Sequence, residues 1–234
     1  MIAGLQKMTL LDFPGKVACT VFLSGCNYNC PFCHNAPLLT CEAAPLMDTE
    51  GLLSFLESRK GLLEGVCITG GEPTLHSRLP ALIRSIRALG FAVKLDTNGS
   101  RPDVLQALCR EGLLDYVAMD VKNSPSRYGQ TVAVAGLSLE KTEESLRFLL
   151  QGSVPFELRT TVVTPLHDGQ TMEEMGRWLY ALNGERPVQA LYLQPFRDRD
   201  TVRFSGMAAP GEDQMAHWAD ILQPYVHHVY IRGQ

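Results

Sequence analysis

The chain has 234 residues, 45% of them hydrophobic, and a net charge of −4 with both signs spread along its length. That is enough for one domain of barrel or layered α/β type with a sizeable core, and short for two. There is no basic block of the kind a nucleic-acid binder carries and no apolar run near the roughly 20 residues of a membrane span, so neither class of partner is expected.

Along the chain, apolar β-rich runs alternate with helical patterns. The opening MIAGLQKMTLLDFPGK (residues 1–16) reads as an N-terminal extension. Asp12 and Pro14 stand where a signal peptide needs an apolar stretch, so a cytoplasmic protein is expected. Strands are expected over Val17–Leu23, Val66–Thr69, Phe91–Asp96, Tyr116–Val121, Phe156–Val163 and Ala190–Gln194, with a short last one over Val226–Ile231.

A first helix follows Asp48–Thr49. A second runs from near Pro80 to Gly90 with Leu82, Ile83, Ile86 and Leu89 on one face. Pro102 opens a third, with Leu105 and Leu108 inward, and Ser138 caps a fourth. A capping box at Thr171–Glu174 starts a fifth, with Met175, Trp178 and Leu179 in its core face. A last helix covers Glu212–Leu222. Six βα units in series imply parallel strands with helical crossovers, because a tight turn cannot join a parallel pair. The expected fold class is α/β, a partial (β/α)6 barrel or an open doubly wound sheet, as six units are too few for eight-fold closure. No linker interrupts it, so residues 1–234 read as one domain, with 197–234 as a C-terminal extension.

In either layout ligands sit beyond the carboxyl ends of the strands. The polar motifs fall there: Cys26–Cys33, Gly70-Gly71-Glu72-Pro73, Asp96-Thr97-Asn98-Gly99, Asp120-Val121-Lys122 and Gln194-Pro195-Phe196. Arg159 is the exception, inside an apolar strand, where an inward-pointing guanidinium needs a partner. Of seven cysteines, Cys19, Cys67 and Cys109 read as core residues, and Cys41 as a remote further ligand. His227 and His228 read as edge or surface residues, and Arg197–Asp200 as a solvated loop.

Cys26, Cys30 and Cys33 have the spacing C-x3-C-x2-C. A structural zinc site takes four ligands, usually as two pairs, and a thioredoxin-like pair has no use for the first cysteine. Three thiolates suit a [4Fe–4S] cluster with one iron left open. Spacing alone leaves zinc and the open cluster both standing, with the cluster favoured.

This spacing, with Phe32 before the third cysteine, resembles the signature of radical S-adenosylmethionine (SAM) enzymes. Gly70-Gly71-Glu72-Pro73 resembles that family's glycine-rich turn. Cys33-His34-Asn35, Asp96-Thr97-Asn98-Gly99 and Asp120-Val121-Lys122 resemble its glycyl-radical-enzyme activases. The opening Gly4–Lys16 stretch is similar to activating proteins of anaerobic ribonucleoside-triphosphate reductase. The resemblance implies a partial (β/α)6 barrel, an open cluster on Cys26, Cys30 and Cys33, reductive cleavage of SAM, and transfer of the radical to a glycine of a partner enzyme. Flavodoxin or ferredoxin is the implied electron donor.

It further implies Phe32 and His34 near the adenine, and Gly70 and Gly71 at the methionine amino group. Glu72 either accepts from that group or braces the turn. Asn98 belongs to the same cofactor-binding set, and Lys122 and Arg159 meet the carboxylate or the ribose. A monovalent cation is implied at Asp96, Thr97 and Asp120, since two nearby carboxylates need a cation or Lys122 to neutralise them. Two rival functions are a radical enzyme acting on a small molecule, as in the 7-carboxy-7-deazaguanine synthases, and a non-catalytic metal-binding or electron-transfer module.

Overall fold

The computed structural model describes residues 2–40, 45–152 and 154–233; Cys41 lies outside them. The elements in chain order are β1 (Ile2–Thr9), β2 (Ala18–Leu23), α1 (Thr49–Glu57), β3 (Gly65–Gly70), α2 (Leu79–Ala88), β4 (Ala92–Thr97), α3 (Pro102–Arg110) and β5 (Tyr116–Asp120). Then follow α4 (Pro125–Thr131), α5 (Glu140–Leu150), β6 (Phe156–Val162), α6 (Gly169–Leu182), β7 (Val188–Pro195), α7 (Glu212–Leu222) and β8 (Val226–Ile231). The strand order is β1 to β8 without reversal. A doubly wound sheet reverses at a switch point, so the monotonic order decides for barrel-type winding of the α/β class. Among the described residues no helix is long and apolar enough to cross a membrane.

The chain packs as two compact units. The first comprises Met1–Asn27, Pro37–Ala118 and Ser153–Phe156. In it β2, β3 and β4 pair in parallel, Val21 facing Ile68 and Ile68 facing Leu95 across the register. Val21, Val66, Ile68, Val93 and Leu95 are fully buried, together with Leu52 and Leu56 of α1 and Ile83 and Ile86 of α2. Each such side chain stabilises the unit by about 1.5–3 kcal/mol. Cys19 and Cys67 are buried in the same core, whereas Cys109 is only half-buried on α3. Burial pushes the Cys19 thiol up to about 12 and the Cys109 thiol up to about 11, so neither is a thiolate at neutral pH.

The second unit comprises Tyr28–Ala36, Met119–Gly152 and Glu157–Gln234. There β6, β7 and β8 pair in parallel, Leu158 facing Leu191 and Leu191 facing Val229. Met175, Leu179, Met215 and Trp218 fill its core, as their helical spacing predicts, whereas Trp178 is only half-buried and donates from Nε1 to Glu143 Oε1 at 3.0 Å. His227 and His228 are exposed on β8, and Arg197–Asp200 is an exposed loop.

Four local features differ from expectation. The N-cap of α5 is Leu139 and not Ser138, whose hydroxyl accepts from Glu140 N at 3.3 Å. Part of the N-terminal extension is β1, which pairs antiparallel with β2 through Gln6 opposite Thr20. Its sequence IAGLQKMT has Gly4 and polar residues in place of an apolar run, because it has one neighbour and its middle is exposed. The short α4 shows no apolar period, since it buries only Tyr128 and Thr131. Finally, α6 starts earlier than the box at Thr171 suggests. Asp168 is the N-cap and Thr171 its reciprocal partner at the third helical position.

Candidate active site

In the first unit, β2 and β3 end level, with Leu23 opposite Gly70. Gly70 has φ +122°, and a Cβ there would lie 2.2 Å from the Leu23 carbonyl oxygen. A Cβ on Gly71 would lie 2.1 Å from the Gly25 carbonyl oxygen and 3.3 Å from Cys26 Cβ. The glycines thus make room for the loop leaving β2, which carries Cys26. Backbone bonds from Gly71 N to Leu23 O and from Glu72 N to Gly25 O, both 2.8 Å, join the turn to that loop.

Glu72 is 1% exposed. Its Oε1 accepts from Thr74 N, Thr74 Oγ1 and Thr97 Oγ1, and its Oε2 from Asn98 N at 2.6 Å. Burial pushes its carboxyl above the usual range, and these donated bonds oppose that. Thr97 Oγ1 also accepts from Gly99 N, so its hydroxyl serves the turn after β4. Asn98 Nδ2 donates to Asn27 Oδ1 at 3.0 Å, beside Cys26. One polar network therefore links the ends of β3 and β4 to the cysteine loop. Asp96 accepts at 2.5 Å from Lys94 Nζ.

In the second unit, Asp120 sits between two cations. Lys122 Nζ reaches its Oδ2 at 3.0 Å and Arg159 Nε its Oδ1 at 3.0 Å. Arg159 Nη1 also lies 3.9 Å from Glu157. Burial alone would raise the Asp120 carboxyl, but Arg159 and Lys122 outweigh it and hold it at about 2. Burial alone would lower Lys122; Asp120, with Cys30, outweighs that and keeps it protonated far above its ordinary value. Burial raises the Cys33 thiol, while a backbone bond from Asn35 and the charges of Lys122 and Arg203 draw it back.

Phe32 is buried with Val163, Leu166 and Phe196, and Cys30 packs against the same cluster. The His34 ring stacks on Phe196, centroids 5.5 Å apart, and its Nε2 donates to Arg197 O at 2.6 Å. Both residues expected near an adenine therefore tie the cysteine loop to the exit of β7.

Residues that the sequence reading passed over also hold the site. His167, 3% exposed, donates from Nε2 to Lys122 O at 3.0 Å, and Asn123 Nδ2 donates to Leu166 O at 2.9 Å. Only their loop positions were visible in the sequence. Lys94 carried a clearer signal, a charge within an apolar strand, which is the argument applied to Arg159.

The Asp120 pairing makes a pH prediction. Its folded value of about 2 lies below the ordinary 3.8. Ionised Asp120 therefore stabilises the fold above about pH 4, and that stability is lost as pH falls through about 2. With a side chain 27% exposed, the contribution is about 2 kcal/mol at neutral pH. Asp120→Asn should lose that amount in urea unfolding at pH 7, and its stability should fall less than wild type between pH 4 and 2. Parallel acid limbs for the two proteins would count against this assignment.

The donor set suits an open iron–sulfur cluster. Cys26, Cys30 and Cys33 are half-buried thiols outside any disulfide and lie within eight residues of one another, and the charge of Lys122 lowers the Cys33 thiol against the rise that burial causes. Among the described residues no three His, Cys, Asp or Glu side chains converge closely enough to hold a metal ion as they stand. The fit rests on donor chemistry and not on a preassembled cage.

The chain is 28% identical over 238 residues to a Methanocaldococcus jannaschii protein provisionally named a glycyl-radical enzyme activating enzyme, covering 99% of this chain and 95% of that one. It is 26% identical over 219 residues to a 7-carboxy-7-deazaguanine synthase of Neisseria meningitidis serogroup B, covering 90% and 84%. A solved domain of the pyruvate-formate lyase-activating enzyme of Bacteroides vulgatus shares the fold, with a TM-score of 0.57 at 22% identity over 72% of this chain and 99% of that one. The radical SAM superfamily model matches residues 20–179. That span runs from β2 into α6 and covers more than half of the chain, so this chain belongs to the radical SAM superfamily, whose cofactors are a [4Fe–4S] cluster and SAM.

Proposed function

We propose that this chain is the activase of a glycyl radical enzyme, taking a hydrogen atom from a backbone glycine Cα of a large partner. The observation that carries the reading is the end-to-end likeness to the Methanocaldococcus jannaschii protein. An anaerobic ribonucleotide reductase is the partner and flavodoxin or ferredoxin the electron donor.

When loaded, the cluster and SAM supply a carbon-centred radical able to abstract that hydrogen. The chain does the positioning. Cys26, Cys30 and Cys33 would hold the cluster, one thiolate to each of three irons. The Glu72 side chain holds Thr97 and the backbone of Asn98, Asn98 reaches Asn27 beside Cys26, and backbone bonds from Gly71 and Glu72 tie the turn to the same loop. Lys122 and Arg159, already cationic against Asp120, are the groups that meet a carboxylate or ribose hydroxyls. Phe32 and Phe196 keep the Cys30 side apolar, which excludes water from a reactive centre.

The experiment supplies candidate partner enzymes one at a time to the reduced, loaded protein and looks for a glycyl radical by electron spin resonance. A radical on one partner, dependent on SAM, is expected. SAM cleavage without a radical on any partner, coupled to turnover of a deazapurine precursor, would support the second reading. That reading is favoured by the similarity to the synthase over 90% of the chain.

A further inference from the structure

Lys94 lies in the middle of β4 and is 1% exposed, among the largest fully buried side chains of the protein. Residues two apart on a strand share a face, so Lys94 and Asp96 point the same way. Its Nζ reaches Asp96 Oδ1 at 2.5 Å and lies 3.9 Å from Cys67 Sγ. Cys67 Sγ donates to the same oxygen at 3.6 Å. A buried ammonium is costly unless a carboxylate meets it, and Asp96 meets this one. Thr97, next in sequence, gives its hydroxyl to Glu72 and takes no part in the pair.

We infer that Lys94 is the built-in counter-ion of Asp96, taking the place of a diffusible monovalent cation at the end of β4, so that this chain binds SAM without one. A sodium or potassium ion at Asp96 would compete with an ammonium already on the carboxylate oxygen, and would leave the strand end with an excess positive charge. Asp120 has its own fixed cations in Lys122 and Arg159, so both carboxylates for which a mobile cation was expected are neutralised by the chain itself. The inference deepens the proposed function, because it rests on Asp96 belonging to the cofactor site.

The test uses the cluster-loaded protein under anaerobic conditions in sodium, potassium or choline chloride at equal ionic strength. Calorimetry reads SAM binding, and thermal melting reads the ion pair itself. Wild type should bind with the same affinity, within about twofold, in all three salts, and should melt at the same temperature. Lys94→Ala should bind about tenfold more weakly in choline, and regain most of the loss in sodium or potassium, where a small ion can re-enter. Its melting temperature should rise with the small cations and not with choline.

Wild-type affinity that collapses in choline would show a diffusible ion and overturn the inference while leaving the activase reading intact. A variant equally weak in every salt would make Lys94 merely structural and overturn it too. The wild-type salt exchange needs no variant, so misfolding of Lys94→Ala leaves the decision in place. Absence of SAM binding by wild type in every salt would sink the proposed function, and the melting curves would then decide the counter-ion role.

Discussion

Replacing any one of Cys26, Cys30 or Cys33 by alanine abolishes release of methionine and 5′-deoxyadenosine from SAM by the reduced protein. This is the largest effect expected of any single substitution. Three thiolates are the fewest that hold a cluster while leaving one iron open, so losing one removes the site and not a fraction of its rate. The loaded wild type should carry about four irons per chain as one cluster, and each variant well below that. Alanine at Cys19, of similar chemistry but buried in the core and protonated, should leave iron content and cleavage in place at a cost in stability. Full cleavage by any of the three variants under anaerobic reducing conditions would end the cluster assignment.

Gly71→Ala should be nearly as damaging, for a reason of packing. The added Cβ meets the Gly25 carbonyl oxygen at 2.1 Å and its carbon at 2.6 Å. Both are backbone atoms, held by the bond from Glu72 N to Gly25 O, and cannot swing aside as a side chain would. Relief must come from moving Gly25 and Cys26, so the cysteine loop shifts with the turn. The expected cost is about 3 kcal/mol in urea unfolding, with iron loading reduced several-fold. Gly90→Ala is the control. It sits at φ +93° with nothing within 4 Å of the new Cβ, so it should cost about 1 kcal/mol of backbone strain and leave iron loading alone. Normal loading of Gly71→Ala would mean that the turn does not position Cys26.

The order of βα units was legible from the chain because apolar runs and helical periods are local patterns. The helix over Glu212–Leu222 and the strand over Val226–Ile231 fall on their expected bounds. What failed lay where burial was slight. β1 has one neighbour and an exposed middle, and α4 buries two residues, so neither needs an apolar pattern. The Asp168 cap was hidden because its partner Thr171 is itself a good capping residue.

The site divides along the same line. The number and spacing of the cysteines, the glycines of the turn and the carboxylates at strand ends belong to the sequence by itself, because each is a matter of residue type and position. Spacing puts Lys94 and Asp96 on one strand face, but only the structure shows that they pair. The tertiary structure alone decided who meets whom across strands. Arg159 reaches Asp120, 39 residues away, because Val121 N bonds Arg159 O and sets the two strands side by side. Glu72 meets Asn98 because their turns follow neighbouring strands β3 and β4, and Phe32 and His34 meet Phe196 because their loop lies over the exit of β7. Residue type sets what a group can bind. Register between strands distant in sequence sets what it does bind, and no spacing along the chain carries that information.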